Sequence, residues 1–276
     1  MQILNCNELF NQNIDYIKKL LDIYDNKPTL ATIRVGNDEG SISYEKTLEK
    51  LSEKLGLGFR KSIFDNGIGQ EDIIDRLKEL NNDKAVKGIL VFKPLPKNFD
   101  ENVILNNIDH NKDIDGASSK SLKKILGYEN YHNLPATAVA IENYLDTITE
   151  LEGKNVLIIN RSNTIGIPLW HLLTNKNATC TVAHSRTKDV EKMMETVDII
   201  VSGVGRSEIF NPKVLKENAI VIDMGISCDL EGKYTGDFNR KNIEQMNISY
   251  MPSINGIGKL TRSIIIKNTC FNMEEI

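Results

Sequence analysis

The sequence predicts an α/β protein of two domains. Short β-branched apolar runs alternate with longer amphipathic stretches, one long irregular stretch separates two such series, and 276 residues exceed what most single cores hold. The first series carries TLATIRV, GLGFRKSIF and KGILVF; the second carries NVLIIN, ATCTVA, DIIVSG and AIVIDMG. Strand–helix alternation of this kind implies parallel sheets covered by helices on both faces. The irregular stretch, about 93–137, contains PLP, NKDIDG and NYHNLPAT and reads as a domain boundary or a cleft wall. TAVAIENYLDTI, ahead of Gly153, has helical period and carries the chain from one sheet to the next. The expected division is 1–137 and 138–256, with a terminal helix over about 257–276, beginning after Gly256 and Gly258, packed back on the first domain.

Composition excludes several classes. Hydrophobic residues at 40% and charged ones at 26% describe an ordinary soluble globular chain. A net charge of −4 argues against a polyanion-binding surface, so no nucleic-acid partner is expected. Cys6, Cys180, Cys228 and Cys270 stand far apart, without a CxxC pair, and His110, His132, His171 and His184 do not cluster, so neither a metal site nor a disulfide framework is expected. The N-terminus lacks the basic start and apolar run of a secretory signal, and no segment approaches the length of a membrane span. The expected compartment is a reducing cytoplasm.

The strand NVLIIN runs into Asn160-Arg161-Ser162-Asn163-Thr164-Ile165-Gly166 and then an apolar helix. A tight turn from strand to helix N-terminus gathers free backbone N–H groups, which is where a dinucleotide pyrophosphate sits in a Rossmann-type domain. An ordinary turn with Gly166 needed for close packing is the alternative, because the full GxGxxG is missing. The next strand, ATCTVA, ends in His184-Ser185-Arg186, without the acid that would accept hydrogen bonds from a ribose and repel an added phosphate. Ser185 and Arg186, with Arg161, suit a 2′-phosphate and favour NADP over NAD; basic residues solvating a loop are the bland alternative. Glycines at further strand ends, in Ser202-Gly203-Val204-Gly205 and Asp223-Met224-Gly225-Ile226, let a ligand approach the backbone, although tight turns alone would also require them.

The order of these motifs resembles the methylenetetrahydrofolate dehydrogenase/cyclohydrolase (FolD) family over nearly the whole chain. NRSNTIGIP is similar to its GRSxxVGxP, VIDMGI to VIDVGI, GKYTGDF to GKxxGDV, and SINGIGKLT to PGGVGPxT. In the first half Ser41 and Tyr44 match SxxY, KPLP matches part of QLPLP, and KDIDG matches KDVDG. The resemblance implies a folate cleft between an N-terminal α/β domain and a Rossmann-type domain, NADP on the second, a tetrahydrofolate derivative as substrate and a homodimer. It also implies that Tyr44 lies beside the folate ring, that Asp115 hydrogen-bonds the pterin, and that Asn160, Arg161, Ser162, Gly166, Ser185, Arg186, Gly205 and Ile226 line the nucleotide. A cap or turn role for Asp115 before Gly116 is the structural alternative.

The family's general acid/base is a lysine four residues after the tyrosine, and this chain has Leu48 there. Tyr44, Leu48, Leu51 and Leu55 share one helical face, from which Lys46 and Lys50 are absent. The lysine's glutamine partner is Phe92. Asn160 replaces a glycine, PATA replaces PCTP, Asn255 replaces a glycine and Lys259 a proline. Hydride transfer is chiefly a positioning reaction, whereas hydrolysis of the methenyl product needs proton transfers. The expectation is an NADP-dependent dehydrogenase with weak or absent cyclohydrolase. Full bifunctionality and a non-catalytic folate- or nucleotide-binding relative are the alternatives.

Overall fold

The computed structural model describes residues 1–127, 133–228 and 234–272; His132, the Lys233 of GKYTGDF and the side chain of Cys228 lie outside the described residues. The N-terminal half contains β1 (Gln2–Ile3), α1 (Asn7–Ile23), β2 (Thr29–Val35), α2 (Glu39–Leu55), β3 (Gly58–Phe64), α3 (Gln70–Asn82), β4 (Val86–Val91), α4 (Glu101–Asn106) and α5 (Ser119–Gly127). The C-terminal half contains α6 (Ala136–Ile148), β5 (Asn155–Ile159), α7 (Gly166–Asn175), β6 (Thr179–Ala183), α8 (Val190–Met194), β7 (Ile199–Ser202), β8 (Ile220–Asp223), β9 (Ser227–Cys228), β10 (Tyr234–Thr235), α9 (Arg240–Ile243), β11 (Ser249–Met251) and α10 (Ile257–Phe271).

The chain divides into two compact units. One comprises Asn11–Ala136 with Arg262–Ile276, the other Met1–Phe10 with Thr137–Thr261. The first holds a three-stranded parallel sheet in the order β3-β2-β4. β2 is its middle strand and is buried at nearly every position, which is why TLATIRV reads as a mostly apolar run with Thr32 and Arg34 as its buried polar members. Ala31, Ile33 and Val35 of β2, Ile89 and Val91 of β4, and Ile73, Leu77 and Leu80 of α3 form one core. On the outer side of β4, Ile89 bridges Asp113 in parallel register, so residues 112–115 run along that strand and bring Asp115 beside its C-terminal end.

The second unit holds a six-stranded parallel sheet ordered β1-β11-β8-β7-β5-β6 and a separate antiparallel pair, β9 with β10. Its core joins Leu157, Ile159, Ile200, Val221, Phe238 and Tyr250. The chain leaves β5 for β6 on one side and β7 on the other, which makes β5 the point where the winding reverses. In open parallel sheets, the crevice beyond the strand ends at that point receives ligands.

Several local expectations change. Residues 1–10, expected with the N-terminal domain, go with the six-stranded unit because Gln2 and Ile3 pair with Ser249 and Tyr250. A strand of two residues carries no periodicity to read. The two-residue strands β9 and β10 and the three-residue β11, which lies between β1 and β8, are too short to show a period either. α10 begins at Ile257, so Gly258 lies inside the helix. On α2 the fully buried positions are Ser41, Glu45, Leu48 and Ser52, while Leu51 and Leu55 are half-buried. The buried charge of Glu45 is tolerated because Arg34 Nε lies 3.1 Å and the Thr32 hydroxyl 2.7 Å from its carboxylate oxygens.

Candidate active site

In the three-stranded unit the site is built on α2, the end of β4 and the segment 112–118. Asp38 starts α2, its carboxylate accepting from Ser41 N at 2.7 Å and from the Ser41 hydroxyl at 2.8 Å, so the serine of the Ser41/Tyr44 motif serves the cap. Tyr44 follows one turn later. Its ring meets Phe92 edge-on, with centroids 6.1 Å apart, and the Arg262 guanidinium lies 5.6 Å from its centroid. The hydroxyl is buried and has no hydrogen-bond partner among the described residues. Burial first, and the charge of Asp115 second, hold this phenol well above its ordinary range against a smaller effect of Arg262, so it stays a neutral O–H donor.

Within KDIDG the labour is divided. Lys112 donates to the carbonyls of Leu80, Asn81 and Asp83 at 3.1, 2.6 and 2.8 Å, satisfying the C-terminal end of α3. Asp113, fully buried, accepts from Ala117 N, Ser118 N and the Ser121 hydroxyl at 3.0, 2.8 and 2.7 Å and fixes the start of α5. Gly116 has φ of 62°, and a Cβ there would lie 2.3 Å from the Pro135 nitrogen. The cap role considered for Asp115 therefore belongs to Asp113. The Asp115 carboxylate makes a single hydrogen bond among the described residues, to Lys93 Nζ at 3.3 Å. Burial pushes its carboxyl up, the ammonium of Lys93 opposes that, and the charge of Asp113 adds to the rise.

Leu48 is completely buried, and Phe92, at the end of β4, is 8% exposed. Lys46 and Lys50 are exposed on the other side of α2. The two positions that match the family's lysine and glutamine are thus apolar, as the sequence says, and closed to solvent. Two cations escaped the sequence reading. Lys93 stands in the KPLP motif beside Phe92, but only the pairing of β4 with residue 113 shows that its amine reaches Asp115. Arg262 lies in a helix whose period alone reads as core.

In the six-stranded unit the turn after β5 is organised by Asn160. Its amide donates to Gly203 O at 2.6 Å and its Oδ1 accepts from Ser162 N at 2.8 Å and Gly166 N at 3.2 Å. Asn160, which stands where the family motif has glycine, thereby ties the β5 turn to the loop after β7. The Ser162 hydroxyl accepts from Ile165 N at 3.1 Å. A Cβ on Gly166 would fall 1.9 Å from Asn160 O, so only glycine allows α7 to begin this close to β5. Arg161, Ser162, Ser185 and Arg186 are exposed at the C-terminal ends of β5 and β6, and neither arginine forms an ion pair among the described residues. Arg186 N donates to His184 Nδ1 at 3.1 Å.

The next two strand ends are joined by buried carboxylates whose role the motifs did not reveal. Asp237 accepts from the Ser202 hydroxyl and from Val204, Gly205 and Arg206 N at 2.6, 2.7, 2.9 and 3.0 Å, fixing the loop that contains Gly205. Asp223 accepts from Gly225, Asp237 and Phe238 N at 3.1, 3.0 and 3.1 Å and from the Tyr250 hydroxyl at 2.9 Å. Burial nevertheless pushes the Asp223 carboxyl up to about 6, with the two backbone donors from Asp237 and Phe238 opposing. Ile226, just beyond, is 57% exposed. Lys259 donates to Asn7 Oδ1 at 2.6 Å and lies 4.5 Å from the Phe10 ring centroid, which occupies its charge in joining α10 to α1. No group of three potential metal ligands occurs among the described residues.

Residues 4–115 match the catalytic domain of tetrahydrofolate dehydrogenase/cyclohydrolase, and residues 135–276 match the NAD(P)-binding domain of the same enzyme. The chain belongs to the FolD family. A protein from Clostridium perfringens named bifunctional protein FolD is 37% identical over 246 residues, covering 89% of this chain and 88% of its own. The crystal structure of FolD from Campylobacter jejuni superposes with a TM-score of 0.92 at 28% identity, covering 99% of each chain. FolD from Trypanosoma brucei, solved with NADP and an inhibitor, gives 0.91 at 25% identity, over 99% of this chain and 97% of that one. As a FolD member the chain is an NAD(P)-dependent methylenetetrahydrofolate dehydrogenase of the dehydrogenase/cyclohydrolase type, acting in one-carbon metabolism. Its departures from the FolD motifs leave the backbone intact: Asn255, in place of a glycine, has φ of 59°, a left-handed conformation that asparagine tolerates better than most residues.

Proposed function

We propose that this FolD member oxidises the methylene bridge of methylenetetrahydrofolate with NADP and hydrolyses the methenyl product weakly or not at all. The observation that carries the reading is the closed, apolar pair Leu48 and Phe92 where the family keeps its lysine and glutamine. Asp115 accepts from the pterin amino and ring N–H groups, which a carboxylate can receive in pairs. Tyr44 offers its ring face to the folate and its neutral hydroxyl as a donor. Leu48 and Phe92 exclude water and hold no proton to give, so a water attacking the methenyl carbon would find no base. A positioned acid/base contributes roughly 10²- to 10⁴-fold to such a step.

The nucleotide reading has its own support in the chain. Gly166 leaves the backbone open at the α7 N-terminus, and Asn160 holds the turn in shape. Arg161 and Arg186, exposed, free of ion pairs among the described residues and without an acid at the end of β6, suit a 2′-phosphate, which favours NADP over NAD. When bound, the nucleotide supplies the hydride acceptor. Gly205 and Ile226 would lie along it.

The test follows reduced cofactor and methenyl product separately, with methylenetetrahydrofolate and either NADP or NAD. Methenyl product accumulating at the rate of cofactor reduction, with NADP preferred, is the expected result. Methenyl hydrolysis well above the buffer rate and co-purifying with the protein would restore the fully bifunctional reading that its relatives' names carry. The homodimer implied by the family and the cytoplasmic location expected from the sequence stand as part of the proposal, to be checked by light scattering and cell fractionation.

A further inference from the structure

The lysine that α2 lacks has a counterpart elsewhere in the same unit. Lys93 follows Phe92, and its ammonium lies 3.3 Å from Asp115 Oδ2, with the Lys93 and Asp115 side chains 23% and 18% exposed. Exposed ion pairs contribute little, but a partly buried pair is screened less, and losing the ammonium would push the carboxyl further toward its protonated form. The surroundings are poor in other charges. From α2 comes the neutral Tyr44 hydroxyl, from α10 the Arg262 guanidinium over the Tyr44 ring, and from the same segment Asp113, whose carboxylate is committed to the start of α5. Arg34 and Glu45 are paired with each other. With Leu48 and Phe92 apolar, the direct salt-bridge partner of Asp115 among the described residues is Lys93.

We propose that Lys93 is a positioning residue for the folate: its ammonium keeps Asp115 ionised and turned so that the other carboxylate oxygen is free to accept from the pterin. The second oxygen makes no hydrogen bond among the described residues. A protonated Asp115 would lose one acceptor and offer a donor to a pterin edge that is itself all donors, so binding requires the ionised form. Removing the ammonium lets burial raise the carboxyl further, in the direction it is already displaced. The inference rests on the reading of Asp115 as the folate carboxylate.

The experiment compares the parent with Lys93→Met, Lys93→Arg and Asp115→Ala. Tetrahydrofolate binding is measured by calorimetry across pH 6 to 9, and the Asp115 carboxyl is titrated by carbon-13 NMR. Lys93→Met should move the midpoint of that titration upward. Tetrahydrofolate binding at neutral pH should then weaken and recover as pH rises toward 9, because the ionised form is regained there. The KM of the dehydrogenase should rise with little change in kcat, and Lys93→Arg should restore both profile and affinity. A Lys93→Met protein that binds tetrahydrofolate like the parent, or more weakly by one factor at every pH, overturns the inference. Asp115→Ala separates the two claims. If it leaves folate affinity untouched, the reading of Asp115 itself fails; if it abolishes affinity while Lys93→Met is flat with pH, only the role of Lys93 fails.

Discussion

Among single residues, the proposed loss of methenyl hydrolysis turns on Leu48 and Phe92, both buried and apolar. Leu48→Lys alone should restore little, because a lysine facing Phe92 would lack a hydrogen-bonding partner and burial disfavours its charged form. Leu48→Lys combined with Phe92→Gln should therefore raise methenyl hydrolysis by at least about tenfold over the parent while changing hydride transfer less, measured by loss of methenyl absorbance against cofactor reduction. Asp115→Ala should weaken folate binding by an order of magnitude or more and leave nucleotide binding unchanged, with heat stability lowered only by the lost pairing to Lys93, since Asp113 carries the capping bonds. A loss of several kcal/mol in stability would return Asp115 to a structural role. Lys259 is already engaged with Asn7 and Phe10, so Lys259→Ala should leave folate kinetics unaltered.

At the scale of elements, the nucleotide end of the sheet is a set of strand termini tied to one another. Asn160 links the β5 turn to Gly203 after β7, and Asp237 holds the following three backbone N–H groups. Gly166→Ala would drive a Cβ to 1.9 Å from Asn160 O, so the turn must open. That change should abolish nucleotide binding by calorimetry and destabilise the unit by about 2 kcal/mol or more. Arg161→Ala and Arg186→Ala act on exposed side chains and should each weaken NADP about tenfold while leaving NAD unchanged, the loss of a charge-assisted bond to a phosphate. A variant in which NAD and NADP fall equally would show that these arginines only solvate the loop.

For the whole molecule, buried carboxylates set an unusual response to pH. Asp223 titrates at about 6 in the fold and at the ordinary carboxylate value of 3.8 when unfolded. Between those values the folded chain holds a proton that the unfolded chain has released, so this group favours the fold most below pH 3.8 and the advantage is lost as pH rises through 6. The full difference is on the order of 3 kcal/mol. Asp115 is displaced in the same direction in the other unit. Scanning calorimetry should thus find the transition of the six-stranded unit moving to higher temperature as pH falls from 7 to 5. A transition temperature falling over that interval would contradict the assignment, as would a carbon-13 titration of Asp223 near 4.

The sequence by itself determined the α/β class, the two strand–helix series, the tight turn after β5 and the apolar residues at 48 and 92, because each rests on local period or on residue types at fixed spacing. TLATIRV and NVLIIN are buried strands whose chemistry is written in consecutive residues, and the 44/48 spacing is one helical turn in any environment. Only the tertiary structure decided which aspartate of KDIDG holds the start of α5 and which pairs with Lys93, since both lie in one short motif and differ in what the fold brings to them. It alone joined Lys93 to Asp115 and Arg262 to Tyr44, pairs set by strand register and by a helix returning from the far end of the chain. The two-residue strand at the N-terminus was settled in the same way: Gln2 and Ile3 are a strand only because Ser249 and Tyr250 stand beside them. Short-range pattern fixes what a segment can be, and the partner that satisfies its polar groups fixes what it is for.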